Sequence, residues 1–136
     1  MKVLVNDCYG GFGISLEAEQ LYLQKKGTSY ELLEEKYGRG KYLINGEELY
    51  IDLSRTDEVL IEVFEELGSQ RTSGTHAELS ISEIPDGCDY DIHEYDGSEY
   101  ISSTWFTFTT EQLRNGLSEE QLELASKVSC IKIENL

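Results

Sequence analysis

An α+β fold, with a mixed, mostly antiparallel sheet and three to five short helices in a single domain spanning 1–136, is predicted by three observations on this chain. Apolar residues recur at helical spacing as Val59, Leu60, Val63, Phe64 and Leu67. Ala77, Leu79 and Ile81 alternate with polar residues, as Tyr90 and Ile92 do with Asp89, Asp91 and His93. Asn45-Gly46 separates Tyr42-Leu43-Ile44 from Leu49-Tyr50-Ile51, the strongest two-residue hairpin signal, because both turn positions adopt positive φ.

The elements follow in order. Residues 2–5 read as a short strand, broken by Cys8-Tyr9-Gly10-Gly11-Phe12-Gly13. Ser15 is placed as an N-cap, with Glu17 and Glu19 in the first turns, where the helix dipole favours anions. Gly27 after Lys25-Lys26 is the stop. Ser29 is read as the cap of a second short helix carrying Leu32, Leu33 and Tyr37, closed by Gly38. The 42–51 hairpin comes next. Thr56 is read as the cap of the clearest helix, which Gly68 ends. Residues 77–108 are predicted to form an antiparallel meander with turns at Pro85-Asp86-Gly87 and Asp96-Gly97, its last strand running from 100 to 108. Thr109 with Gln112 and Ser118 with Gln121 fit capping boxes, and Leu117 with Leu122 fits a hydrophobic staple. Ile131 and Ile133 suggest a closing strand. Apolar periodicity in 102–136 predicts packing on the main sheet or on a second copy of the chain, a homodimer.

Charge narrows the partner class. The chain has 27 acidic and 11 basic residues, a net charge of -16. Nine of the carboxylates lie between Thr72 and Leu113, a stretch without Lys or Arg. Such a field repels nucleic acid and anionic membranes and attracts basic protein surfaces. No apolar run approaches the ~20 residues of a membrane span. The start turns polar after three apolar residues, which predicts no signal peptide and a cytoplasmic location. Cys8, Cys88 and Cys130 lack C-x-x-C spacing and read as small buried residues or free thiols.

Enzyme motifs fail one by one. G-x-G-x-x-G stops at Leu16, and the phosphate-loop pattern has Glu35 at its first glycine and Tyr42 after Gly40-Lys41. A calcium loop starting at Asp89 has Glu94 where glycine is required. His76 and His93 have no zinc-ligand spacing, and G-x-S-x-G does not occur. No catalytic residue, cofactor or metal is therefore assigned.

Two binding readings stay open. In the first, Asp86, Asp89, Asp91, Glu94, Tyr95, Asp96 and Glu99 bind a basic protein surface as a nucleic-acid mimic. A domain of this size spans roughly 35 Å, a length over which duplex DNA carries about 20 phosphates, the same order as the charge surplus. In the second, Gly10, Gly11, Gly13 and Ser15 form an anion site at a strand–loop–helix junction, for a ligand such as a nucleotide signal, with Arg39, Lys41, Arg55 or Arg71 as counter-charge.

Val5-Asn6-Asp7-Cys8-Tyr9-Gly10-Gly11-Phe12-Gly13-Ile14-Ser15 resembles the opening of a family of small acidic proteins of bacteriophages, large DNA viruses and some bacteria. Arg55-Thr56-Asp57 leading into 59–68, and Glu83-Ile84-Pro85-Asp86 continuing through Glu94-Tyr95-Asp96-Gly97, are also similar to it. These stretches cover roughly half the chain. The family supplies no catalytic residues. What the resemblance implies is context only, a phage or prophage accessory gene; the acidic face, as a nucleic-acid mimic, is what points to an inhibitor of a host defence protein such as a CRISPR effector or restriction enzyme. Family members end soon after the Tyr-Asp-Gly turn, so 102–136 would be an extension.

Overall fold

The computed structural model describes residues 1–103, 105–126 and 130–134. The fold is mixed α+β, as the sequence predicts. The chain, read from sequence as one domain, groups into two compact units: Lys2–Ser82 with Glu94–Tyr100, and Met1 with Glu83–His93 and the residues from Ile101 onward.

In the larger unit, β1 (Lys2–Asn6) pairs with β5 (Leu79–Glu83). Val3, Leu4, Val5 and Asn6 are all buried, so β1 is covered on both faces beyond the exposed Lys2. Helix α1 (Leu16–Lys25) begins at Ser15, whose hydroxyl accepts from the Ala18 amide at 3.0 Å. Helix α2 (Glu58–Thr72) kinks at Gly68, where φ is 80° and ψ 171°. The expected stop at Gly68 is therefore a break followed by one more turn. Asp57 rather than Thr56 caps α2: its carboxylate accepts from the amides of Val59 (2.9 Å) and Leu60 (3.2 Å). A carboxylate meets both the orphan donors and the positive helix end, so it outcompetes the neighbouring hydroxyl. Leu4, Ala18, Tyr22, Leu23, Tyr42, Leu60, Ile61, Val63 and Leu79 make the core, with Val59, Phe64 and Leu67 half-buried beside it.

The helix expected from Ser29 is instead strand β2 (Glu31–Lys36). It forms an antiparallel three-stranded sheet with β3 (Arg39–Ile44) and β4 (Glu47–Tyr50). Every residue of β2 is exposed, so a helix here would have had no apolar face to bury, whereas the ladder pairs Glu34 with Lys41 across the strands. The β3–β4 turn is Asn45-Gly46, both at positive φ, as predicted.

The expected meander does not form. β5 pairs with β1, and among the described residues β6 (Tyr90–Tyr95) pairs with β7 (Ser98–Ser103) alone, through the Asp96-Gly97 turn. The predicted 100–108 strand is divided between β7 and β8 (Trp105–Thr109). In the smaller unit β8 pairs in parallel with β9 (Cys130–Glu134), and α3 (Thr110–Asn115) and α4 (Glu119–Ala125) occupy the crossover. A parallel pair requires such a connection, which a meander does not provide. Both capping boxes are present, at Thr109 with Gln112 and at Ser118 with Gln121. Phe108 is buried there, while Leu122, Ile131 and Ile133 stay exposed. Cys8 is a free thiol, whereas Cys88 is buried and disulfide-bonded, which corrects the reading of free thiols for Cys88.

Candidate functional site

The loop after β1 is held by one fully buried polar residue. Asn6 donates through Nδ2 to the carbonyls of Cys8 (2.9 Å) and Gly97 (2.7 Å), and its Oδ1 accepts from the Glu78 amide at 2.8 Å. A buried amide must find such partners, and this one ties three distant segments together. Its backbone N–H donates to Glu99 Oε1 at 2.9 Å. Glu99 also takes a two-pronged ion pair from Arg55, at 2.7 and 2.9 Å. Arg55 reaches the Leu4 carbonyl at 3.2 Å, and its guanidinium lies 3.4 Å from the centre of the Phe12 ring.

Glycine is required where these segments touch. A Cβ on Gly97 would stand 2.6 Å from the Gly11 nitrogen, and one on Gly10 would stand 1.7 Å from the His76 carbonyl oxygen. Asn6, Gly10, Gly11, Phe12, Arg55 and Gly97 therefore meet in one place, and the chemistry there is packing and hydrogen bonding.

Beside this knot lies a cleft of about 660 Å³, within the usual range for small-ligand sites. The 10–13 loop lines one part of it, and the 74–77 loop another. The β2–β3 turn contributes Lys36, Tyr37, Gly38 and Arg39, and β4 with the segment after it contributes Tyr50, Asp52 and Leu53. Arg39 donates to the Ile51 carbonyl at 3.0 Å and lies 4.9 Å from the Tyr50 ring centre. Lys36 Nζ lies 5.6 Å from the Tyr37 ring centre. Among the described residues, neither Lys36 nor Arg39 has a carboxylate within salt-bridge distance.

Glu19 lines the cleft from α1 and is 2% exposed. Its Oε1 accepts from the Gly40 amide (2.9 Å) and the Tyr42 hydroxyl (3.3 Å), so it moors the Arg39-bearing strand to the helix. Burial pushes the Glu19 carboxyl up, and those two hydrogen bonds with the nearby Arg39 charge offset part of that rise. Burial and the Glu19 charge push the Tyr42 phenol up as well.

The sequence-assigned residues divide as follows. Gly10, Gly11 and Gly13 line the cleft together with Arg39 and Arg55. Arg55 is already neutralised by Glu99. Ser15 is engaged in capping α1 and donates to the Arg71 carbonyl at 2.6 Å. Arg71 pairs with Glu17, and Lys41 with Glu48 at 3.5 Å. Of the acidic set, Asp86, Asp89, Asp91, Glu94, Tyr95 and Asp96 are exposed. Asp86 accepts from the Met1 amine at 2.5 Å, which lowers its carboxyl, and Glu94 accepts from the Gly97 amide at 3.0 Å. Glu99 faces inward, its side chain only 8% exposed, because an arginine and an amide wait there. Lys36, Tyr37, Tyr50, Asp52 and His76 are cleft residues that the sequence reading did not assign. Tyr37-Gly38, at φ 56° and 76°, is a two-residue turn and was the available signal.

Among the described residues, no group of three or more His, Cys, Asp or Glu is placed to hold a metal ion, and no helix is long and apolar enough to cross a membrane. No family model, curated protein or solved structure matches the chain.

Proposed function

We propose that this chain is a non-enzymatic binding protein whose small anionic ligand occupies the cleft beside the 10–13 loop. One observation carries this reading. The chain holds 11 basic and 27 acidic residues, yet of the three cations lining the cleft only Arg55 is paired, with Glu99, while Lys36 and Arg39 have no carboxylate within salt-bridge distance among the described residues. With Glu19 and Asp52 as its carboxylates, the cleft lining thus lacks the acidic excess of the chain, and Lys36 and Arg39 supply its available positive charge. A cation held on an aromatic face inside a cleft is a ready partner for a phosphate or carboxylate. Thermal denaturation with a panel of small phosphates and carboxylates tests it. A ligand-dependent rise in melting temperature that Arg39→Ala and Lys36→Ala diminish is the expected result. No rise with any member of the panel would remove the reading.

A second reading is a phage-type inhibitor that covers a nucleic-acid-binding surface of a host defence protein in the cytoplasm. Its support is the alternation in β6: Asp91 and His93 are exposed while Tyr90 and Ile92 are half-buried, and Asp89 just ahead of the strand is exposed as well. Association with a basic partner would weaken as salt screens it. Reversing Asp89, Asp91 and Glu94 together to Lys would weaken it without unfolding the chain. An unchanged affinity in that triple variant would end this reading.

A further inference from the structure

We infer that the ligand of the cleft belongs to the nucleotide class, a planar base joined to a phosphate, with the base stacked on Tyr50 or Tyr37 and the phosphate on Arg39 and Lys36. This rests on the cleft reading above and names its ligand chemistry. Two aromatic rings and two cations line the cleft as pairs, Arg39 over one face of Tyr50 and Lys36 over one face of Tyr37. A cation over one face of a ring leaves the opposite face for a stacked base and matches a ligand that itself carries a ring beside an anion.

Tyr37 strengthens the case. It is 92% exposed and sits at φ 56°, a left-handed conformation that bulky L-residues seldom adopt. The turn that holds it is closely packed at its next residue, since a Cβ on Gly38 would stand 3.0 Å from Thr75 Oγ1. Nothing in the core gains from an aromatic ring placed this way, whereas a stacked base would. A small phosphate alone would leave both rings unused. A nucleic-acid strand brings many phosphates into the field of a chain with net charge -16, whereas a single nucleotide brings one phosphate group.

Isothermal titration calorimetry on the full chain decides it, with the ribonucleoside monophosphates of A, G, C and U, with ribose 5-phosphate, and with adenosine. At least one nucleotide should bind about tenfold tighter than ribose 5-phosphate, since base–aromatic stacking is of that order. Tyr50→Leu and Tyr37→Ala, separately and combined, should weaken that nucleotide by a larger factor than they weaken ribose 5-phosphate, and an equal loss for both ligands would overturn the stacking inference. Both tyrosines are solvent-exposed, and the melting temperature of each variant checks that it folds. If ribose 5-phosphate binds as tightly as every nucleotide, the stacking inference falls and the anion cleft stands. If neither nucleotides nor ribose 5-phosphate bind while other anions in the panel do, the nucleotide class falls alone. If no anion binds, both fall together.

Discussion

Arg55 and Glu99, 44 positions apart in the chain, meet in a two-pronged ion pair at 2.7 and 2.9 Å, with Glu99 turned away from solvent. The pair closes the knot around Asn6 and fixes the β1 end of the cleft wall. A buried pair of this kind penalises the loss of one partner more than the loss of both, because the survivor keeps its desolvation cost.

Glu99→Ala should therefore destabilise the chain by about 3 kcal/mol, since it strands both the Arg55 charge and the Asn6 amide. The double variant Arg55→Met with Glu99→Leu should recover much of that loss. Urea denaturation of the singles and the double reads the coupling. Additive losses would show that the two residues do not act as a pair.

The glycines of the loop should separate sharply. Gly10→Ala and Gly97→Ala place a Cβ against backbone atoms at 1.7 and 2.6 Å, so each should cost at least about 1–3 kcal/mol. Gly13 has open space where a Cβ would stand and no positive φ, so Gly13→Ala should stay within about 0.5 kcal/mol of the parent. Because Gly13 lines the cleft, the same substitution should still weaken a ligand bound there. Equal melting temperatures for all three variants would contradict the packing described.

Glu19 should make stability fall as pH rises. Burial raises its carboxyl above the ordinary 4.5, so the folded chain holds a proton that the unfolded chain has released. The favourable contribution is complete below 4.5 and is lost as pH climbs through the raised folded value. Glu19→Gln keeps an acceptor for the Gly40 amide and the Tyr42 hydroxyl and removes the charge. It should flatten stability against pH above 4.5. A parallel pair of curves for parent and variant would refute this.

Asp57 should show the opposite slope. Burial alone would raise its carboxyl, but hydrogen bonds from the Tyr22 hydroxyl and the Leu60 and Val59 amides prevail and lower it. The contribution is present above the ordinary 3.8 and fades as pH falls through the lowered value. Asp57→Ala should cost about 1 kcal/mol at neutral pH, as N-cap losses do. That difference should shrink in acid. In the same contact burial and the Asp57 carboxylate push the Tyr22 phenol up to about 12, so Tyr22→Phe should lose only the single hydrogen bond.

Features that depend on residues already adjacent in the chain could be read directly from the sequence. The Ser15 cap, the Asn45-Gly46 hairpin, the Asp96-Gly97 turn and the two capping boxes are of this kind, because the side chains and backbone groups involved are neighbours before any folding. The glycine loop was legible as a break, though not as the wall of a cleft. Elsewhere long-range packing overrode local preference. Residues 31–36, rich in Glu and Leu, favour a helix locally, but the β3 edge offered them hydrogen bonds and the Glu34–Lys41 pairing. Glu99 read as one more surface carboxylate until Arg55, 44 positions earlier, drew it inward. The cleft itself joins the 10–13 loop, the 36–39 turn, the 50–55 segment and the 74–77 loop, a conjunction that no local spacing encodes, because only burial of the shared core brings those segments together.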